Sequence, residues 1–183
     1  MSEEAFVLHT APTLAGIKTA NLFTIENDDH ESVMNGIRRL NHMLISKGIR
    51  VIPLKESEKR VLVYVYRPSW LCRDFKNEDL QTLLDNLHYP TSNPDQCVVK
   101  LVQRLKESES FPHEIGLFLG YPPEDVKGFI QNHARNYKCT GMWKVYGDEF
   151  EAKKKFARYK KCTDDYCMRM NRGISLEKLV VAM

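Results

Sequence analysis

IRVIPLKESEKRVLVYVY, residues 49–66, decides the fold class. Two runs rich in β-branched and aromatic residues, 49–54 and 60–66, flank the polar segment KESEK. Branching at Cβ restricts the side-chain torsion and suits a pleated surface, so both runs favour extended backbone. A short polar connection between them makes an antiparallel hairpin the economical reading.

Working outward, ANLFTI at 20–25 has the same composition between polar flanks and supplies a third strand. Ahead of it, Pro12 leads a short turn. Behind it, Asp28 starts a helix with Glu31 as its capping-box partner. Val33, Ile37, Leu40 and Leu44 then recur at helical spacing until Gly48 stops the helix. Beyond the hairpin, NEDLQTLLDNL at 77–87 reads as a short helix. Asn93 precedes another, with Pro94 at its first position and Val98, Leu101, Val102 and Leu105 toward the core. The second half is mostly helical, except for GMWKVYG at 141–147, which reads as a strand between two glycines. The expected class is α+β: a small, mostly antiparallel sheet of three to five strands covered by helices, with a helical C-terminal half. No Gly-, Ser- or Pro-rich linker interrupts the chain, so 1–183 is expected to form a single domain.

A chain of 183 residues can bury roughly 70% of the surface its unfolded form exposes, enough for a sizeable core. With 43% hydrophobic and 28% charged residues, the composition is that of a globular protein. No apolar run approaches the ~18 residues of a membrane span. MSEEAFVLHT carries acid where an export signal carries positive charge, so a cytoplasmic location is expected. The five cysteines are then expected to stay reduced. The net charge of +3 is small, but EAKKKFARYKKC at 151–162 crowds basic residues together.

FPHEIGLFLGYPPEDVKGFI, residues 111–130, invites three readings. A zinc protease needs histidines four apart on one helical face, but Leu117 stands four residues after His113. A DNA-binding helix-turn-helix would present Glu124 and Asp125 to phosphates, which would repel them. The third reading is a helical corner of the core, with Val126, Phe129 and Ile130 on one buried face. Glu114 would then lie in a first turn, favoured by free N–H groups and the helix dipole.

Cys162 and Cys167 lie in a stretch that reads as helix from Asp148 to Asn171. At about 100° per residue they are roughly 140° apart, too far to share a metal on an unbroken helix. Cys72, Cys97 and Cys139 have no CxxC partner, so no metal site is expected. Ala152, Phe156, Tyr159, Thr163, Tyr166, Cys167 and Met170 share one face of the same helix. Lys153, Lys154, Lys155, Arg158, Lys160, Lys161 and Arg169 spread over the opposite arc. That arc is either a solvated face or an electrostatic dock.

PTLAGIKTANLF, FPHEIGLFLGYPPEDVKGFI, KCTGMWKVYGD and FARYKKCTDDYC together resemble the signature segments of bacterial domain-of-unknown-function family 3793. The similarity runs from about His9 to Val181. The family, found mainly in anaerobic Gram-positive bacteria, has no established activity. Its genes often lie near those of flavodoxin-like or ferrous-iron transport proteins, so the resemblance implies redox or iron physiology. Relatives are expected to carry a cysteine in place of Thr10 and a CxxC in place of Cys139-Thr140-Gly141-Met142. A thiol pair there is accordingly not expected to be this chain's mechanism.

Two function classes follow. The first is a non-catalytic binding or accessory protein that meets an acidic partner, such as a flavodoxin-like protein, through Lys153, Lys154, Arg158 and Lys161. The second is a small-molecule enzyme or ligand-binding protein whose pocket is lined by Lys18, His113, Glu114, Lys144 and Tyr146. The residues name no reaction and no cofactor, and neither nucleic acid nor a membrane is expected as a partner.

Overall fold

The computed structural model describes residues 2–108 and 110–182. The fold is α+β, with a three-stranded antiparallel sheet, a two-stranded sheet and a mostly helical C-terminal half. The chain divides into two compact units, the first built from 1–69 and 161–183, the second from 70–160.

In the first unit, helix α1 (Glu3–Leu14) leads into strand β1 (Ala20–Glu26). Helix α2 (His30–Ile45) then connects to the hairpin of β2 (Arg50–Glu56) and β3 (Arg60–Tyr66). The strand order is β1-β3-β2, with both pairings antiparallel. Pro53, which has no N–H to donate, lies on edge strand β2, where the register also shifts. Val61, Val63 and Val65 alternate onto one face of the central strand and join the core. Against them pack Phe6, Val7, Ala11 and Leu14 of α1 and Ile37, Leu40 and Leu44 of α2. Tyr166 and the short α9 (Leu176–Leu179) complete that core.

Two expectations at this end need correction. Pro12 does not lead a turn but lies inside α1, near its end. The helix is capped at its start by Ser2, whose hydroxyl accepts from the Ala5 N–H at 3.2 Å, and Glu3 and Glu4 occupy its first turn. Having no N–H, the proline cannot bond back to residue 8 as a helical residue does, but its carbonyl accepts from Ile17 and Lys18 N–H to close the following turn. The cap of α2 is Asp29 rather than Asp28, its carboxylate accepting from the Ser32 N–H at 3.2 Å.

Arg67, just after β3, has no counterpart in the sequence reading. It is fully buried and donates to four backbone carbonyls. Nε reaches Thr13 at 2.8 Å. Nη2 reaches Leu14 at 2.8 Å and Val181 at 2.7 Å, and Nη1 reaches Lys47 at 3.2 Å. Two of these carbonyls end α1, where the helix dipole favours a cation. One guanidinium thus ties the end of the first helix to the loop after α2 and to the C-terminal segment.

The second unit begins within the short α3 (Pro68–Asp74) and continues through α4 (Glu78–Asp85), α5 (Pro94–Glu107), α6 (Ile115–Phe118) and α7 (Pro123–Gln131). Asn77 and Asn93 cap α4 and α5, and Pro94 opens α5 as its position predicts. The corner at 111–130 is helical and buries Phe118 completely, with Gly120 at φ 73 making the left-handed turn between α6 and α7. One part of the expected face differs: Val126 is buried and Phe129 half-buried, but Ile130 is exposed. Only Lys144–Val145 of GMWKVYG forms a strand, β5, paired with β4 (Cys139–Thr140). The reason is that the N–H groups of Tyr146 and Gly147 are turned to the Asp125 carboxylate, each at 2.7 Å. Helix α8 (Glu149–Asn171) then runs uninterrupted across the division of the chain between 160 and 161.

Candidate functional site

Lys18 belongs to the first unit, in the turn between α1 and β1. It is buried, its ammonium donates to the Ala20 carbonyl, and burial pushes its pKa down to about 7. His113, Glu114, Lys144 and Tyr146 belong to the second unit.

Glu114 is 4% exposed but makes no cap bond to α6, contrary to the expectation that free N–H groups would hold it. Its Oε1 accepts from Tyr89 Oη at 2.9 Å and from Arg104 Nε at 2.7 Å. A buried carboxylate between a phenol and a guanidinium is a paired charge with a structural role. It drives the Tyr89 hydroxyl well above the ordinary tyrosine range, after the larger effect of burial.

His113, next in the chain, is exposed and turns instead to the ring of Phe129, 4.9 Å away edge to face. The Lys144 ammonium lies on the same phenyl group at 5.9 Å and on the Tyr137 ring at 4.7 Å. It donates to the Ala134 carbonyl at 2.8 Å. Tyr146 donates its hydroxyl to the Arg135 carbonyl at 2.9 Å. Its ring rests against Gly128, where a Cβ would come within 2.4 Å, so the close approach requires glycine. His113 and Lys144 are thus brought together around Phe129, and Lys144 and Tyr146 both serve the loop at 132–138.

Asp125, which sequence reasoning assigned only a repulsive part in DNA binding, organises this region. It is 3% exposed, and besides the two N–H groups named above it accepts from Trp143 Nε1 at 2.7 Å. An acidic residue in a helix's first turn, followed by an aromatic segment between glycines, is the signal that would have suggested it. A cleft of about 410 Å³ opens between α4 and α7, lined by Asp79, Thr82, Glu124, Lys127 and Ile130 among others. None of the five sequence-selected residues lines it.

On α8 the expected two faces are present. Ala152, Tyr159 and Tyr166 are buried, with Phe156, Thr163, Cys167 and Met170 half-buried. Lys153, Lys154, Lys155, Arg158, Lys160 and Lys161 are all exposed. Lys153 pairs with Glu149 at 2.5 Å and Lys154 with Glu151 at 2.8 Å, so the first turn partly neutralises its own end of the arc. Lys154 also covers the ring of Phe150, which is 67% exposed. Among the described residues, no group of three His, Cys, Asp or Glu side chains is placed to hold a metal ion, and no helix is long and apolar enough to cross a membrane.

The family model described as protein of unknown function (DUF3793) matches residues 6–180, and the chain belongs to that family. No curated protein and no solved structure matches it.

Proposed function

We propose, taking membership of that family as the premise, that this is a cytoplasmic, non-catalytic accessory protein. It docks on an acidic redox partner, such as a flavodoxin-like protein, through Lys153, Lys154, Arg158 and Lys161 of α8. One observation carries the reading: residues 152–161 hold six basic side chains and no acidic one, and all six are exposed. Clustered exposed charge of one sign raises encounter rates with an opposite surface and fades with salt.

The alternative, a small-molecule site using Lys18, His113, Glu114, Lys144 and Tyr146, has less support. The Glu114 carboxylate is taken up by Tyr89 and Arg104, and the polar ends of Lys144 and Tyr146 by backbone carbonyls.

The test is binding to a purified flavodoxin, used as an acidic probe with a basic protein as control. Wild-type affinity should fall steeply as salt rises through the physiological range. Changing Lys154, Arg158 and Lys161 together to Glu should abolish binding while moving the melting temperature little, because exposed charges contribute only tenths of a kcal/mol each. No binding by the wild type, or binding indifferent to salt and charge reversal, would overturn the reading.

A further inference from the structure

We infer that the loop at 132–138, between α7 and β4, is the specificity element of this docking face, with Arg135 and Tyr137 as the side chains that engage the acidic partner. The inference rests on the docking reading above and adds to it which residues hold the complex together.

The loop backbone is strained and fixed. His133, Ala134 and Asn136 all have left-handed backbone, at φ 49, 61 and 58. L-residues other than glycine adopt that region at a cost, and alanine has no side-chain hydrogen bond to offset it. Such conformations persist only where the surroundings over-determine them. Here they do. Lys144 Nζ holds the Ala134 carbonyl at 2.8 Å, and Tyr146 Oη holds that of Arg135 at 2.9 Å. Lys138 is bound twice, its N–H to Val145 at 2.8 Å and its Nζ to Gly147 at 2.6 Å. Tyr146 is itself fixed by Asp125 and by its seat on Gly128.

All this scaffolding supports side chains that do not join the core. His133, Arg135, Asn136, Tyr137 and Lys138 are exposed, Tyr137 at 42%. A segment held so firmly while most of its side chains face solvent has the arrangement of a recognition loop on a rigid frame. Its end adjoins the basic helix: Lys138 lies close enough to Glu149 of α8 to help hold that carboxyl below the usual range, after the larger effect of Lys153.

The chemistry divides accordingly. Flexible, strongly hydrated lysines on α8 steer a negative surface toward the protein. Arg135 offers a planar fork matched to a carboxylate, and Tyr137 offers an amphipathic ring already backed by the Lys144 ammonium at 4.7 Å. Arginine and tyrosine dominate interface hot spots, and a preorganised loop loses little freedom on binding.

Association and dissociation rates with the same flavodoxin probe separate the two roles. Arg135→Ala and Tyr137→Ala should each raise the dissociation rate about tenfold or more and leave the association rate within about threefold. The triple reversal on α8 should act chiefly on association. Tyr146→Phe, which removes only the hydroxyl holding the Arg135 carbonyl, should raise the dissociation rate severalfold without altering the circular dichroism spectrum. Wild-type, salt-sensitive binding that α8 reversal abolishes but the loop variants leave intact would overturn this inference alone. So would loop variants that act only through association. Absence of salt-sensitive binding by the wild type overturns the docking reading and this inference with it.

Discussion

Burial of the Lys18 ammonium makes stability depend on pH. Its pKa in the folded chain is about 7, against 10.5 for a free lysine side chain. Between those values the unfolded chain binds more protons at this residue than the folded one, so stability rises with pH. The gain is about 1 kcal/mol per pH unit within that window. Urea unfolding at pH 7 and pH 9 should show the wild type more stable at pH 9 relative to Lys18→Met, in which this contribution is missing. Equal pH dependence in the two proteins would contradict it. The thiols give a second check at the same scale. Burial pushes the Cys97 pKa up to about 11, and the thiol donates to the Pro90 carbonyl at 3.3 Å. Cys72 is exposed. Because the thiolate is the nucleophile, native protein treated with iodoacetamide at pH 8 should be alkylated at Cys72 first and at Cys97 last.

Elements with a strong local signal were legible. The hairpin at 49–66, strand β1 and helices α2, α4 and α5 each combine apolar periodicity with a cap or turn residue, and all form, α2 with its cap one residue later than the pattern placed it. What escaped depends on partners distant in sequence. Helix α1 carried its own cap, Ser2 with Glu3 and Glu4, but Pro12 suggested a turn because proline has no N–H for the helical ladder; the packing of Phe6, Val7, Ala11 and Leu14 carries the helix through it. The roles of Arg67, Asp125 and Glu114 come from partners up to 114 residues away, as with the Arg67 bond to Val181, and no spacing rule encodes them. The same distinction predicts unequal effects at the corner of 111–130. Phe118 is wholly buried against Phe75 and Tyr89, so Phe118→Ala should cost about 3–5 kcal/mol by lost burial and a cavity. Phe129 is half-buried under His113 and Lys144, so Phe129→Ala should cost about half as much or less, since less area leaves water on folding. Denaturant midpoints of the two variants decide it, and equal losses would mean that Phe129 carries core packing.

At the scale of the whole chain, the first unit is closed only by both ends of the sequence. Its core joins α1 to α9, and Arg67 binds carbonyls from 13, 14, 47 and 181. The second unit is the continuous stretch between, and α8 passes from one to the other without a break in its helix. Opening either unit therefore removes the packing of one half of α8, and a helix half without tertiary contacts is barely stable in water. Loss of one unit should propagate into the other, and unfolding should be a single cooperative transition, as expected for one domain. The two tryptophans, Trp70 and Trp143, both lie in the second unit, whereas helical circular dichroism reports on the whole chain. In urea the fluorescence and dichroism curves should share one midpoint. Deleting 176–183, which removes Leu176, Leu179 and the Val181 carbonyl from the first unit, should shift both curves together to lower urea. A fluorescence transition left in place while dichroism shifts would show that the second unit holds its structure alone, and that the chain is two domains.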